Sequence, residues 1–216
     1  MRKLFPALLI ISGLLILAVV VVPVALSQIS YNLRPTLLDP TAVSSNPIFL
    51  AANVLGTSTD YTDSSNWFPA AQPGPQISSR VNYYTLSLPR LNMTDIPVEI
   101  TGTDLKKNPI QFSGTAVPGT YGNTVIYGHS TLAQLYRPRD PVSIFNPLLD
   151  VKIGDEVIIN YDGVTYKYLV RYTKEVHPTE IGVLAQRYDK HELTLITCVP
   201  LGTYLRRFVV RAELVN

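Results

Sequence analysis

The sequence predicts an all-β domain, a barrel or a sandwich, behind an apolar N-terminal segment and a polar spacer. Three observations predict it. From Tyr83 onward, short runs rich in β-branched and aromatic residues recur, punctuated by Gly, Pro, Asn and Asp. Asp162-Gly163 joins two of these runs as a two-residue hairpin signal. Helical turns fit only the connections, so there is no β/α alternation.

The whole chain has 216 residues, enough for one domain plus extra segments. Charged residues are 16%, against about 25% in a typical soluble domain, and an apolar N-terminal block accounts for part of the deficit. Net charge is +2. No Lys/Arg-rich run or aromatic-basic interleaving marks a nucleic-acid surface. A single cysteine excludes a disulfide within the chain. No cluster has zinc spacing. Glu175, Glu180, Asp189 and Glu192 are scattered, and nothing requires calcium. With no phosphate-cradling glycine motif either, the expectation is no metal and no cofactor.

Residues 1–27 read as a membrane anchor. Arg2 and Lys3 precede an uncharged run from Leu4 to Leu26. As a helix this run spans about 34 Å, enough for a bilayer core of about 30 Å. The basic pair places the N-terminus in the cytoplasm and the remainder outside, as a single-pass protein. A cleaved signal peptide ending near Ala25-Leu26-Ser27 is the competing reading, but its apolar core is normally about 7–15 residues. Residues 28–80 read as a low-complexity extracytoplasmic spacer, with breakers at Asn46-Pro47 and Gln72-Pro73-Gly74-Pro75. Two islands interrupt it: Ile48 to Ala52, and Tyr61 with Trp67-Phe68-Pro69. The aromatics either dock on the flank of the domain or form a lid over a groove.

Residues 81–216 hold the β domain. Tyr84, Leu86 and Leu88 alternate with Thr85 and Ser87, and Pro89 ends that strand. Val98 to Ile100 is a short second strand. Thr124-Val125-Ile126-Tyr127 suits a buried strand and stops at Gly128-His129. Ile144 to Leu149 reads as a helical turn. Val157 to Tyr161 and Val164 to Tyr172 flank the hairpin turn. Glu192 to Cys198 and Leu205 to Leu214 are the last two strands, giving about eight.

Cys198 ends a strand that Val199-Pro200 breaks, and strand ends are more open than middles. It is a candidate nucleophile; the alternative is a small buried hydrophobe. His191 lies about 23 Å away along the same strand, out of reach. His177 sits in a loop beside Pro178. His129 follows a buried strand and a glycine that permits close approach, which suits a catalytic base. Arg206, Arg207 and Arg211 lie on the final strand, with Arg207 and Arg211 on one face and Arg206 on the other. An arginine opposite the thiol would supply fixed donors to an oxyanion.

Together these residues resemble the sortases, membrane-anchored cysteine transpeptidases, over about Tyr84 to Leu214. Thr194-Leu195-Ile196-Thr197-Cys198 matches the family's TLxTC signature. Gly122 to His129 is similar to the stretch ending in its histidine, Leu88-Pro89-Arg90-Leu91 to its first strand, and Gly114 to Gly119 to the segment before the histidine strand. The resemblance implies a closed eight-stranded β-barrel with Cys198, His129 and Arg207 catalytic; Arg206 is adjacent to the arginine's position. It implies cleavage of an LPxTG-like sorting signal on surface proteins through a thioester. Transfer is then to an amine, from a cell-wall precursor or a pilin lysine. Thr197 and Ile196 are expected in the substrate groove. Papain-like enzymes place cysteine before histidine, and the SHGC-type motif of the L,D-transpeptidases is absent. The subtype stays open. Asp60-Tyr61-Thr62 lacks the Asp-Pro-aromatic anchor of lidded pilin-polymerising forms, which favours general protein anchoring. A non-catalytic membrane-tethered binding module of the same fold is the alternative from another class.

Overall fold

The structure, a computed structural model, describes residues 12–19, 21–22, 25–26, 29, 59–71, 74, 79 and 81–215. Eight strands close into a barrel: β1 (Tyr83–Leu88), β2 (Met93–Ile100), β3 (Ile110–Gln111), β4 (Gly122–Tyr127), β5 (Glu156–Tyr161), β6 (Val164–Val176), β7 (His191–Val199) and β8 (Arg206–Val215). The order around the barrel is β1-β2-β3-β4-β7-β8-β6-β5. Among the described residues of the domain, helix is confined to 3₁₀ turns in the connections, as expected from the lack of helical periodicity. β2 extends back to Met93, well before the Val98 read from sequence, and Pro97 does not stop it. The hairpin turn takes left-handed φ at both Asp162 (48°) and Gly163 (78°), the type I′ geometry that matches strand twist.

No helix among the described residues is long and apolar enough to cross a membrane. Most of the expected anchor, and the island at Ile48 to Ala52, lie outside the described residues.

Strand alternation sends apolar side chains to two clusters. Leu86, Val98, Ile126, Ile159, Val170, Leu195 and Val210 fill the barrel interior. The alternate residues of the same strands, Val125, Tyr127, Ile196, Cys198 and Val209, join a second cluster on the outer face of β4, β7 and β8. An outward apolar face must be covered, and two segments cover it. One is the 3₁₀ turn Ile181–Leu184, which contributes Val183 and Leu184. The other is residues 60–71, which contribute Trp67, Phe68 and Ala71. Composition assigns this second segment to the spacer, yet Trp67 is fully buried. Fully burying aromatic side chains contributes about 2–3 kcal/mol each, enough to hold a short segment that has no sheet of its own.

Side-chain bonds fix the first cover and backbone bonds the second. Asn123 in β4 accepts from Thr194 (2.6 Å) and donates to the Val183 carbonyl (3.2 Å). Arg211 pairs with Glu192 at 2.9 Å, both nearly buried, and donates to the same carbonyl at 2.9 Å. Residues 62–64 pair with the β2–β3 connection: Ser64 N–H donates to Thr103 O, and Leu105 N–H to Thr62 O, both at 2.9 Å.

Candidate active site

β4 and β7 run parallel, with Tyr127 opposite Ile196. The residues that follow β4 therefore lie beside the end of β7. The backbone continues the pairing, since Gly128 N–H donates to Ile196 O at 3.1 Å. A Cβ on Gly128 would come within 2.5 Å of the Phe145 ring, so only glycine fits before His129. Phe145 N–H donates to His129 O (3.0 Å), and the Ser130 hydroxyl donates to Cys198 O (2.7 Å). These bonds pin His129 at the Cys198 end of β7.

Across the antiparallel β7–β8 pair, Cys198 sits opposite Arg207, and Arg206 sits opposite Val199. Arg207 thus takes the face of the thiol. It is fully buried, whereas Arg206 is exposed. The register separates two arginines that sequence spacing could not. Ile196 shares the face of Cys198 and packs in the outer cluster. Thr197, expected in the groove, is on the opposite face by strand alternation. Its hydroxyl donates to Gly128 O at 2.9 Å, so it braces the backbone before His129 rather than lining the groove. His177 is exposed, with Nδ1 bonded to the Thr179 hydroxyl at 2.9 Å. His191 opens β7, with its ring 4.0 Å from that of Tyr121. Neither joins Cys198.

The expected open strand end is not observed: Cys198 is fully buried and His129 is 4% exposed. Residues 60–71 cause this. The Trp67 ring lies 5.8 Å from His129 and stacks on Tyr127 at 5.2 Å. Arg207 donates to the Trp67 carbonyl from Nε (3.2 Å) and Nη2 (2.9 Å), and from Nη1 to Tyr204 O (3.0 Å). The Tyr61, Trp67 and Phe68 rings surround its guanidinium at 5.3–5.9 Å. Among the described residues it has no carboxylate partner within 4.0 Å, so carbonyls and ring faces carry the buried charge. Tyr61 also stacks on Tyr204 at 4.4 Å. Of the two sequence readings for these aromatics, this geometry is the cover over the groove. The aromatic island was the sequence signal. That its main chain would hold Arg207 had no signal.

Burial sets the protonation states. It pushes the Cys198 thiol up to about 11, only partly offset by the Arg207 charge. It pushes His129 down to about 4, against the opposing charge of Asp60. A cationic neighbour by itself favours the thiolate. In this covered state desolvation wins, and both groups are neutral at pH 7.

A stability consequence follows for His129. Its folded pKa is depressed below the usual 6.5, so the covered state is fully favoured above pH 6.5. That contribution is lost as pH falls toward 4. By pH 5 the loss is about 2 kcal/mol. The difference in unfolding free energy between pH 7 and pH 5 should therefore shrink by that amount in His129→Asn. An equal pH dependence in both proteins would refute it.

No group of three or more His, Cys, Asp or Glu positioned for a metal occurs among the described residues. The arrangement is a thiol, an imidazole and a guanidinium on one face, suited to nucleophilic acyl transfer.

A family model described as "Sortase domain" matches residues 86–215. Sortase A of Listeria monocytogenes is 33% identical over 93 residues, 43% of this chain and 38% of that protein. Three curated relatives are matched over 38% to 63% of their own length, so this chain aligns with less than two thirds of each. Among solved structures, sortase A from Corynebacterium diphtheriae is 33% identical, with TM-score 0.55 over 64% of this chain and 63% of that one. A lid mutant of that enzyme is 34% identical, with TM-score 0.54 over 66% of this chain and 74% of that one.

Proposed function

This chain belongs to the sortase family, and from that premise we propose that it is a cysteine transpeptidase acting on an LPxTG-like sorting signal. One observation supports the reading above the others: Cys198 and Arg207 oppose each other across β7–β8, with His129 presented beside them by parallel β4. Once uncovered, the Cys198 thiol gives its proton to His129, and the thiolate attacks the scissile carbonyl carbon, forming an S–C bond as the C=O electron pair moves onto the oxygen. Arg207 donates to the developing oxyanion. The C–N bond then breaks, and His129 gives its proton to the leaving amine. A second amine attacks the thioester carbonyl, His129 accepts its proton, and the S–C bond breaks to return the thiolate.

Substrate must first displace residues 60–71, because Trp67 O occupies the Arg207 donors and the thiol is buried. Displacement re-exposes Cys198 and His129 to water, which removes the desolvation that keeps both neutral. The protein is held as a single-pass membrane protein with its domain outside, and surface proteins bearing C-terminal sorting signals are the acyl donors. Accounting for products with and without an added amine tests the reaction. A transfer product supports transpeptidation; hydrolysis alone, unchanged by amine, refutes it.

The covering segment favours a second reading of the acceptor, a lidded form that polymerises pilins through a lysine. One similar structure is itself described as a sortase A lid mutant. Competition between a lysine-bearing peptide and a short glycine peptide as acceptor separates the two.

Arg207→Ala is expected to lower kcat/KM for a sorting peptide by about 10² through loss of oxyanion donors, although it also frees the Trp67 carbonyl. Steady-state kinetics with the labelled peptide checks this; an unchanged kcat/KM would remove Arg207 from the mechanism.

A further inference from the structure

Toward the end of β7 away from Cys198, a cavity of about 440 Å³ opens between β6, β8 and the β6–β7 connection. Lys190, just before β7, lines it. Cys198 lies eight residues further on, about 26 Å along an extended strand. Acyl transfer uses none of the lining residues, so the two readings stand or fall separately. Strand alternation sends only one of two consecutive residues to a given face, yet Arg171 and Tyr172 both line the cavity. The β6–β8 register shifts between Val170 and Tyr172, and such an irregularity re-aims a side chain.

The charges in the lining do not balance. Arg171 and Lys190 both bond Glu213, at 3.1 and 2.6 Å, and Arg211 bonds Glu192 at 2.9 Å. The Lys190 bond, aided by the Arg171 charge, holds the Glu213 carboxyl below its usual range. Arg187 also lines the cavity, but its partner Asp189 does not. Both members of that pair are more than half exposed, so solvent screens it. Four cationic side chains thus face two carboxylates, an excess of two positive charges. Donors are left over as well. Among the described residues Arg171 spends only its Nε, and the buried Nε of Arg211 has no partner.

Arginine forks recognise carboxylates and phosphates, and two features favour phosphate here. A lone carboxylate leaves one positive charge unmatched, whereas a phosphate monoester carries about −1.5 to −2 at pH 7. The cations also come from four places, β6, the β6–β7 connection, the start of β7 and β8. They reach an anion from several directions, which suits the three terminal oxygens of a tetrahedral phosphate better than the two coplanar oxygens of a carboxylate. The cavity falls in the range of small-molecule sites, about 300–1,000 Å³, which leaves room for the esterified group.

We propose that this cavity binds a phosphate monoester, borne by a small polar molecule or by a lipid headgroup, with Arg171, Arg187, Lys190 and Arg211 holding the phosphate oxygens.

The test is calorimetric titration of the full chain in detergent with glycerol 3-phosphate, with glycerate as its carboxylate counterpart, and with dihexanoyl phosphatidic acid. Glycerol 3-phosphate should bind saturably at one site, and glycerate at least about tenfold more weakly. Arg171→Gln and Arg187→Gln, both at about half-exposed positions, should each weaken binding about tenfold. A melting curve shows that each variant is folded. Lys167→Gln removes the same charge from an exposed site on β6 outside the cavity and should change affinity by less than about twofold. Binding of the soluble ester supports the site with a water-soluble source. Binding of phosphatidic acid alone, with the same variant pattern, supports it with a lipid source. No saturable binding of either overturns the proposal, as does equal weakening by Lys167→Gln. Equal affinity for glycerate also overturns it and points to an acidic peptide instead.

Discussion

Cys198→Ala is expected to abolish transpeptidation entirely while leaving the barrel folded. The chain has one thiol, and no other side chain between His129 and Arg207 can hold the acyl group as a thioester. Losing Sγ removes one small atom from a cluster that also holds Ile196, Val209 and Tyr127. The cost is about 1 kcal/mol, a shift of a few degrees in Tm. Cys198 makes its backbone bonds, including that from Ser130, through atoms that alanine retains. Product formation and a melting curve on the same sample check both halves. Turnover at even a few per cent of wild type in Cys198→Ala would move the nucleophile elsewhere.

Trp67→Ala has the second-largest expected effect, and its sign is a gain. Trp67 is buried against Tyr127, His129 and Arg207. Truncating a buried tryptophan costs about 3–5 kcal/mol. This cost falls on the covering segment, because the barrel strands make their own ladder without it. The uncovered population should then rise by a factor of about 10² to several thousand. Exposure also relieves the thiol of the desolvation that pushes it to about 11. The rate of modification of Cys198 by a methanethiosulfonate should therefore rise at least about 10²-fold. A rate equal to wild type would mean that residues 60–71 do not control access. A faster thiol with no gain in peptide turnover would mean that cover release does not limit the reaction.

The barrel was largely legible in the sequence because its strands announce themselves by period and punctuation. Tyr84, Leu86 and Leu88 alternate, and Asp162-Gly163 turns the one tight hairpin that composition can specify. β2 was cut short at Val98 because the sequence does not show that its strand accommodates Pro97. Cys198 and His129 were legible as a motif pair, but their adjacency depends on β4 and β7 being parallel neighbours, a long-range fact. Arg207 and Arg206 are indistinguishable by spacing; the β7–β8 register puts Arg207 opposite Cys198 and Arg206 opposite Val199. Thr197 was misplaced although period 2 sets it opposite Cys198: nearness in sequence to a nucleophile is not nearness in space on a strand. The covering segment is the least legible element. Residues 60–71 lie in a polar stretch whose average composition looks like linker, and three aromatics outweigh that average only once a β4–β7–β8 face exists to receive them. The neutral state of Cys198 and His129 follows from that burial and had no local signature.

If Cys198 carries an acyl group from a sorting signal, intact-mass measurement of the protein will show it. The full chain, wild type and Trp67→Ala, is incubated with LPxTG-like peptides, quenched in acid and weighed alongside Cys198→Ala. One added mass equal to the peptide's acyl fragment is expected. It should be more abundant in Trp67→Ala, removable by hydroxylamine and absent from Cys198→Ala. An adduct of the same mass on Cys198→Ala, or no adduct on any protein across the peptide set, would contradict it.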